Sequence, residues 1–264
     1  MNGAKLLLYL ILIFCAFFET SFAESIDLSK KNALNQKDID QIYTQGWRFL
    51  SQIHKNKAGL DEAISLYKTA LAISPRNANL HWMLAEILFK KAETIDDPKS
   101  REDLYEKALS EAEIALELNP DSLEAHFWVG ACSAVVAEMK GMFGGVKLIN
   151  QAIDELELVF KMEPSNRYSI LAGAILTAIY TEAPWPMRDL DKAEQFGKAT
   201  VRRDANLTLA SIKLANVYAK QGQHEKARKE AGRCLSLKHP TYIWDAELYD
   251  WPTAERLLKK LEDR

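Results

Sequence analysis

The sequence predicts an all-α fold: a right-handed solenoid of about five helical hairpins, finished by a carboxy-terminal capping helix. Two observations carry that expectation. Five phrases recur in which a small residue opens a helix, a small or medium residue follows seven positions on, and the block closes twelve positions on. Prolines then fall at the block ends, at Pro75, Pro120 and Pro164, and one residue after the fifth at Pro240. A period of roughly 34–47 residues of this kind is the mark of a helical repeat array, in which each hairpin leaves a face that only its neighbours can cover.

The elements follow in order. Met1–Ala23 reads as an export signal: Lys5 gives a short basic start, Leu6–Phe18 carries no charge, and Ser21 and Ala23 place small residues before Glu24. The apolar run is shorter than the about 20 residues that a membrane-spanning helix needs. Cys15 is preceded by bulky Phe14, which fits a lipidation site poorly. A flexible leader is expected over 24–37, the repeat domain over 38–252 and the cap over 253–264. The first helices of the hairpins are expected at Ile39–Ile53, Asn79–Thr94, Leu123–Met139, Ser169–Thr181 and Leu207–Gln221. The second helices open at Ala63, Ala108, Ala152, Ala193 and Ala227. In each, apolar residues at intervals of three and four make one stripe, as Leu60, Ala63, Ile64, Tyr67, Ala70 and Leu71 do. Small residues let helix axes approach, and the proline breaks the backbone ladder that a longer helix would need.

Composition excludes several classes. The chain has 264 residues, 34 Lys+Arg against 37 Asp+Glu, and 48% hydrophobic residues, within the globular range. Near-neutral charge argues against a nucleic-acid partner, whose phosphates call for clustered cations. Removing Met1–Ala23 takes away Lys5 and Glu19 and leaves the net charge at −3. Cys132 and Cys234 are expected as free, buried thiols. The histidines are scattered, without an HExxH pair, and no GxSxG or phosphate-loop spacing occurs, so no enzyme, metal or cofactor is expected. His81 and His126 sit at equivalent repeat positions, which favours a structural role. The run Asp154-Glu155-Leu156-Glu157 reads as a solvated helix face.

These phrases resemble the tetratricopeptide repeat over residues 38–240. Gly46, Ala85, Gly130 and Ala215 match its small first-helix residue, and the five alanines match its second-helix opening. Glu124–Gly130, Glu138–Gly141, Tyr180, Pro184-Trp185-Pro186 and Asp191–Ala193 further resemble the T component of tetratricopeptide-associated TRAP transporters. More distantly the chain resembles the regulator-of-microtubule-dynamics repeat proteins. The T-component likeness implies a periplasmic all-helical protein that forms homo-oligomers in some members. It also implies association with a solute-binding protein and a small apolar ligand. A lipidation motif is missing, and Ser133 stands where an aromatic is usual.

Two functions are expected. One is an exported scaffold docking a protein through its concave surface. From where the repeat family puts its groove, the lining would be Tyr43, Trp47, Asn79, Trp82, Glu86, Phe127, Ala131, Ile212 and Asn216. The other is the accessory T component holding an apolar ligand, with Phe143, Gly144, Gly145 and Trp185 as loop candidates. The Gly-rich loop also reads as a hinge, and Trp185 as a packing plug. The aromatic tail Tyr242–Pro252 reads as a cover for the last repeat.

Overall fold

The structure, a computed structural model, describes residues 26–184 and 187–262, except the side chains of residues 142 and 143. The expected signal segment with Cys15, Trp185, and the side chain of Phe143 therefore lie outside the described residues. Eleven principal helices are present: α1 Gln36–Ser51, α2 Gly59–Ile73, α3 Ala78–Glu93, α4 Pro98–Leu118, α5 Leu123–Gly144, α6 Val146–Met162, α7 Arg167–Glu182, α8 Leu190–Arg203, α9 Thr208–Lys220, α10 His224–Ser236 and α11 Trp251–Glu262. Among the described residues there is no strand. The first ten helices pair in order as five hairpins. The first helices α1, α3, α5, α7 and α9 also touch each other in succession, as do the layers of a solenoid.

Local chemistry sets the helix ends. Asn35 and Asp38 form a reciprocal capping box at α1, with both side-chain-to-backbone bonds at 3.0 Å. Asn77, Asp97, Ser122, Asn166 and Asp189 cap α3, α4, α5, α7 and α8. Ser74, Asn119 and Glu163, each before a proline, leave helical geometry with ψ of 70°, 89° and 94°. The proline ring bars its predecessor from the helical region, so each helix ends two residues before the ring.

Three expectations are corrected. Residues 26–37 are not a free leader: Leu28 is buried, and Lys31 pairs with buried Asp38 at 2.6 Å. The acidic run on α6 is not merely solvated, because Glu155 and Glu157 accept hydrogen bonds from His126 and Tyr180 on neighbouring helices. The helical cap, expected over 253–264, begins earlier. The tail turns helical at Ile243–Asp245, passes through a π turn at Ala246–Asp250, and runs into α11.

Close packing uses the small positions as expected. Ala63, Ala70, Ala85, Ala108, Ala115, Ala152, Ala193, Ala215 and Ala227 are fully buried. At Gly130 a Cβ would come within 2.7 Å of Leu156 Cγ, so α5 and α6 approach too closely for any side chain. The Gly-rich loop bends α5: Gly141 adopts φ 66°, a left-handed conformation that L residues rarely adopt. Cys132 and Cys234 are free and buried, and burial pushes both thiols up, Cys234 to about 12.

The two equivalent histidines form the same clip in successive repeats. His81 Nδ1 lies 2.6 Å from Glu111 Oε2, and its Nε2 lies 3.0 Å from the Pro75 carbonyl. His126 repeats this with Glu155 at 2.5 Å and the Pro120 carbonyl at 2.8 Å. At His81 both partners accept only, so the ring satisfies them together by carrying two protons. Burial opposes that charge at His81, but the Glu111 and Pro75 bonds outweigh it and raise the pKa above its ordinary 6.5.

A group with a raised pKa stabilises the fold below its unfolded value and loses that contribution as pH climbs through the folded value. The thermal midpoint is therefore expected to fall between pH 6 and pH 9, and to fall less in His81→Gln, as followed by circular dichroism. Gly130→Ala should cost about 1–3 kcal/mol in urea unfolding by overpacking α5 on α6.

Candidate functional site

The first helices are apolar on more than one side. In α3 the run Leu80–Leu88 is buried throughout, and α7 buries Tyr168, Ala172, Ala174, Leu176, Ile179 and Tyr180. A helix buried on one face needs one apolar stripe; two stripes mean that it is covered on two sides. One stripe meets the paired second helix, and the other faces inward.

The inward stripes line a partly open cavity of about 990 Å³. Spacings of three and four bring Glu86, Phe89, Lys90 and Glu93 to it from α3. The same spacing brings Phe127, Ala131, Ala134, Val135 and Glu138 from α5, and Leu171, Ile175, Ala178, Ile179 and Glu182 from α7. Trp47 and Leu50 come from α1, Val146 and Ile149 from α6, and Leu209 and Lys213 from α9. Tyr242, Trp244 and Asp245 of the tail complete the wall.

The tail thus does two things. Its helix α11 covers the last hairpin, as expected, through Ala254, Leu257 and Leu258 against Ile212, Ala231 and Cys234. Its first residues instead cross to the opposite end of the array. Trp244 packs edge-on to Trp47 with centroids 5.5 Å apart, and Tyr242 meets the same ring at 6.3 Å. Asp245 accepts from Lys90 Nζ at 2.9 Å, bridging 155 residues of sequence. Glu93 lies 3.1 Å from the same ammonium. Burial works against the Lys90 charge, yet the two carboxylates outweigh it and hold its pKa well above the ordinary value. Burial raises Glu93.

A second charged pair sits deeper. Arg167 bonds Glu86 at 2.7 Å, and its guanidinium lies 4.3 Å over Trp47 and 4.2 Å over Tyr168. An aromatic belt continues from there: Tyr168 meets Phe127 at 4.9 Å and Trp82 at 6.0 Å, and Trp82 meets Tyr43 at 5.7 Å.

Of the expected lining, Trp47, Glu86, Phe127, Ala131 and Gly145 face this cavity. Tyr43 and Trp82 lie in the belt, and Asn79 accepts from Trp82 Nε1 at 3.2 Å. Ile212 is packed under α11, while Asn216 and Gly144 are not part of the wall. The repeat register places Ile212 and Asn216 inward, but α11 covers the last hairpin and takes up that surface. Sequence reasoning missed Lys90, Lys213 and the α7 stripe. Their signal was the doubled apolar face of the first helices. Among the described residues no three His, Cys, Asp or Glu converge as a metal site, and no helix is long and apolar enough to cross a membrane.

Comparison with known proteins gives two family matches. The model for regulator of microtubule dynamics protein 1–3 matches residues 47–170, and a tetratricopeptide repeat model matches residues 210–238. No curated protein matches the chain. Among solved structures, TTC0263, a thermophilic tetratricopeptide-repeat protein of Thermus thermophilus, superposes with a TM-score of 0.61. It is 16% identical, over 84% of this chain and 98% of that one. Pseudomonas aeruginosa pilF gives 0.55 at 14% identity, over 85% and 90%. MamA from Desulfovibrio magneticus RS-1 gives 0.50 at 16%, over 76% and 96%. At these identities the likeness is one of fold.

Asp250 closes the tail's inner end. It is buried, accepts from Thr208 Oγ1 at 2.7 Å, and burial pushes its pKa up to about 6 from 3.8 despite that bond. Between those values the unfolded chain ionises while the folded chain stays protonated, so stability falls as pH rises through them. Asp250→Asn keeps an acceptor for Thr208. It should melt about 3–6 °C above the parent at pH 7, with the gap closing near pH 4, in calorimetric scans.

Proposed function

We propose that this tetratricopeptide-repeat chain is a non-enzymatic binding scaffold, exported after cleavage near Ala23, that docks a protein partner and holds an apolar ligand within its inner face. The repeats and the fold are shared with proteins that generally bind protein partners, and the scaffold reading starts there. The observation that carries the ligand is the cavity of about 990 Å³. It lies at the upper end of the about 300–1,000 Å³ that small-molecule sites occupy. Its walls are mostly aliphatic and aromatic, so an apolar body loses water contact wherever it meets them. Of its cations, Lys90 and Arg167 are already matched by carboxylates and have little to gain from a charged ligand, while Lys213 also stands in the wall.

This is the arrangement that an accessory T component needs: a cargo space inside an array whose surface meets a solute-binding protein. The chemistry it performs is capture and release, with no bond made or broken. A second reading places a protein segment on the inner face, and the chain's own tail seated there favours it.

Protein purified without detergent and examined by native mass spectrometry should carry a small apolar molecule or release one on denaturation. Ala178 lies in the cavity wall and is half-buried, so Ala178→Trp points into the space. That variant should keep its helical circular dichroism and bind the fluorophore Nile red about tenfold or more weakly than the parent. If the parent retains no molecule and binds no fluorophore, the ligand reading fails.

A further inference from the structure

The tail crosses the inner face as a bound peptide would, and its contacts state what that face recognises. Trp47 offers two ring edges, to Tyr242 and Trp244, which stand two positions apart in sequence. Lys90 offers a buried ammonium to Asp245, the next residue. Arg167 stacks on the Trp47 ring and is already matched by Glu86. Only Lys90 therefore depends on the tail for part of its neutralisation, and without Asp245 it keeps Glu93 alone.

We propose that the surface formed by Trp47, Lys90 and Arg167 is a docking site for a protein partner's aromatic–x–aromatic–acid segment, with Tyr242–Asp245 as its occupant in cis. The inference rests on the reading of the array as a protein-binding scaffold. Two features make the occupant separable from the fold. Tyr242, Ile243 and Trp244 pack with the main core, whereas Ala254, Leu257, Leu258 and Leu261 belong to separate clusters against α9 and α10. The two halves meet at the π turn Ala246–Asp250, a wide turn that helices adopt in short stretches and frequently at functional sites. On the amino-terminal side the non-helical stretch Leu237–Tyr242 tethers the segment. Release of Tyr242–Asp245 can therefore leave α11 on the last hairpin. The same step removes one wall of the cavity until the partner's segment takes its place.

The test uses the full chain with Trp244→Ala and Asp245→Ala together, and as probe a fluorescently labelled, amino-acetylated peptide of the sequence Pro240–Asp250. The double variant should bind the peptide about tenfold or more tightly than the intact chain does in fluorescence polarisation. Adding Lys90→Met should abolish binding, as should replacing the tryptophan and first aspartate of the peptide with alanine. A double variant of unchanged circular dichroism that ignores the peptide overturns the proposal, as does equal binding to the intact chain. If the double variant loses helicity, Asp245→Asn in the full chain replaces it, with the same expected gain over the parent and the same overturning result. An intact chain that dimerises with rising concentration on a sizing column, exchanging tails, also overturns it, because the occupant is then a second copy. Nile red still bound by a variant that ignores the peptide defeats the docking site alone and leaves the ligand reading standing.

Discussion

Lys90 is the constraint around which the interior is arranged. An ammonium removed from water costs several kcal/mol unless carboxylates surround it. Its own helix supplies Glu93 one turn away, and the remaining neutralisation comes from Asp245, 155 residues distant. An array of hairpins has no intrinsic reason to bring its last residues to its second repeat, since each hairpin contacts mainly its neighbours. The buried charge, with the Trp47–Trp244 contact beside it, provides that reason. What results is a solenoid whose inner face is walled by its own tail.

The cavity is a consequence of that closure and of the doubled apolar faces of α3, α5 and α7. The inward faces set small residues, Ala131, Ala134 and Ala178, among larger ones such as Phe89, Phe127 and Ile175, and room is left between them. Interiors are normally filled to crystal-like density. A large apolar recess, partly open to solvent, is left unfilled by the chain's own side chains, which is why it reads as a place for something else. The belt from Tyr43 to Phe127 stiffens one side, with ring centroids at 4.9–6.0 Å in edge-on and tilted pairs, and Arg167 ties it to Trp47 through its face.

The histidine clips show how repeat spacing becomes a specific interaction. His81 and His126 each reach back to a proline carbonyl at the preceding turn and forward to a glutamate on the next helix. The periodicity of the two histidines is visible in the sequence, and so is their structural character. Their glutamate partners are not, because Glu155 sits in a run that by local composition reads as a wet surface. The anchored leader escapes a sequence reading for a similar reason: polar residues around Leu28 hide one apolar anchor.

The sequence by itself determined the all-α hairpin array. Helix periods, small residues at fixed intervals, caps and prolines are local signals, and each acts within a few residues of where it is read. The resemblance to the repeat family put Trp47, Glu86, Phe127 and Ala131 among the expected lining, and all four stand in the cavity wall. Only the tertiary structure decided that the tail crosses the inner face, that Lys90 finds Asp245, and that a cavity remains between them. Those outcomes depend on how far the array curves over five repeats, a sum of small rotations that no single stretch of sequence encodes. Burial then turns that curvature into chemistry, by making an unmatched charge too costly to leave.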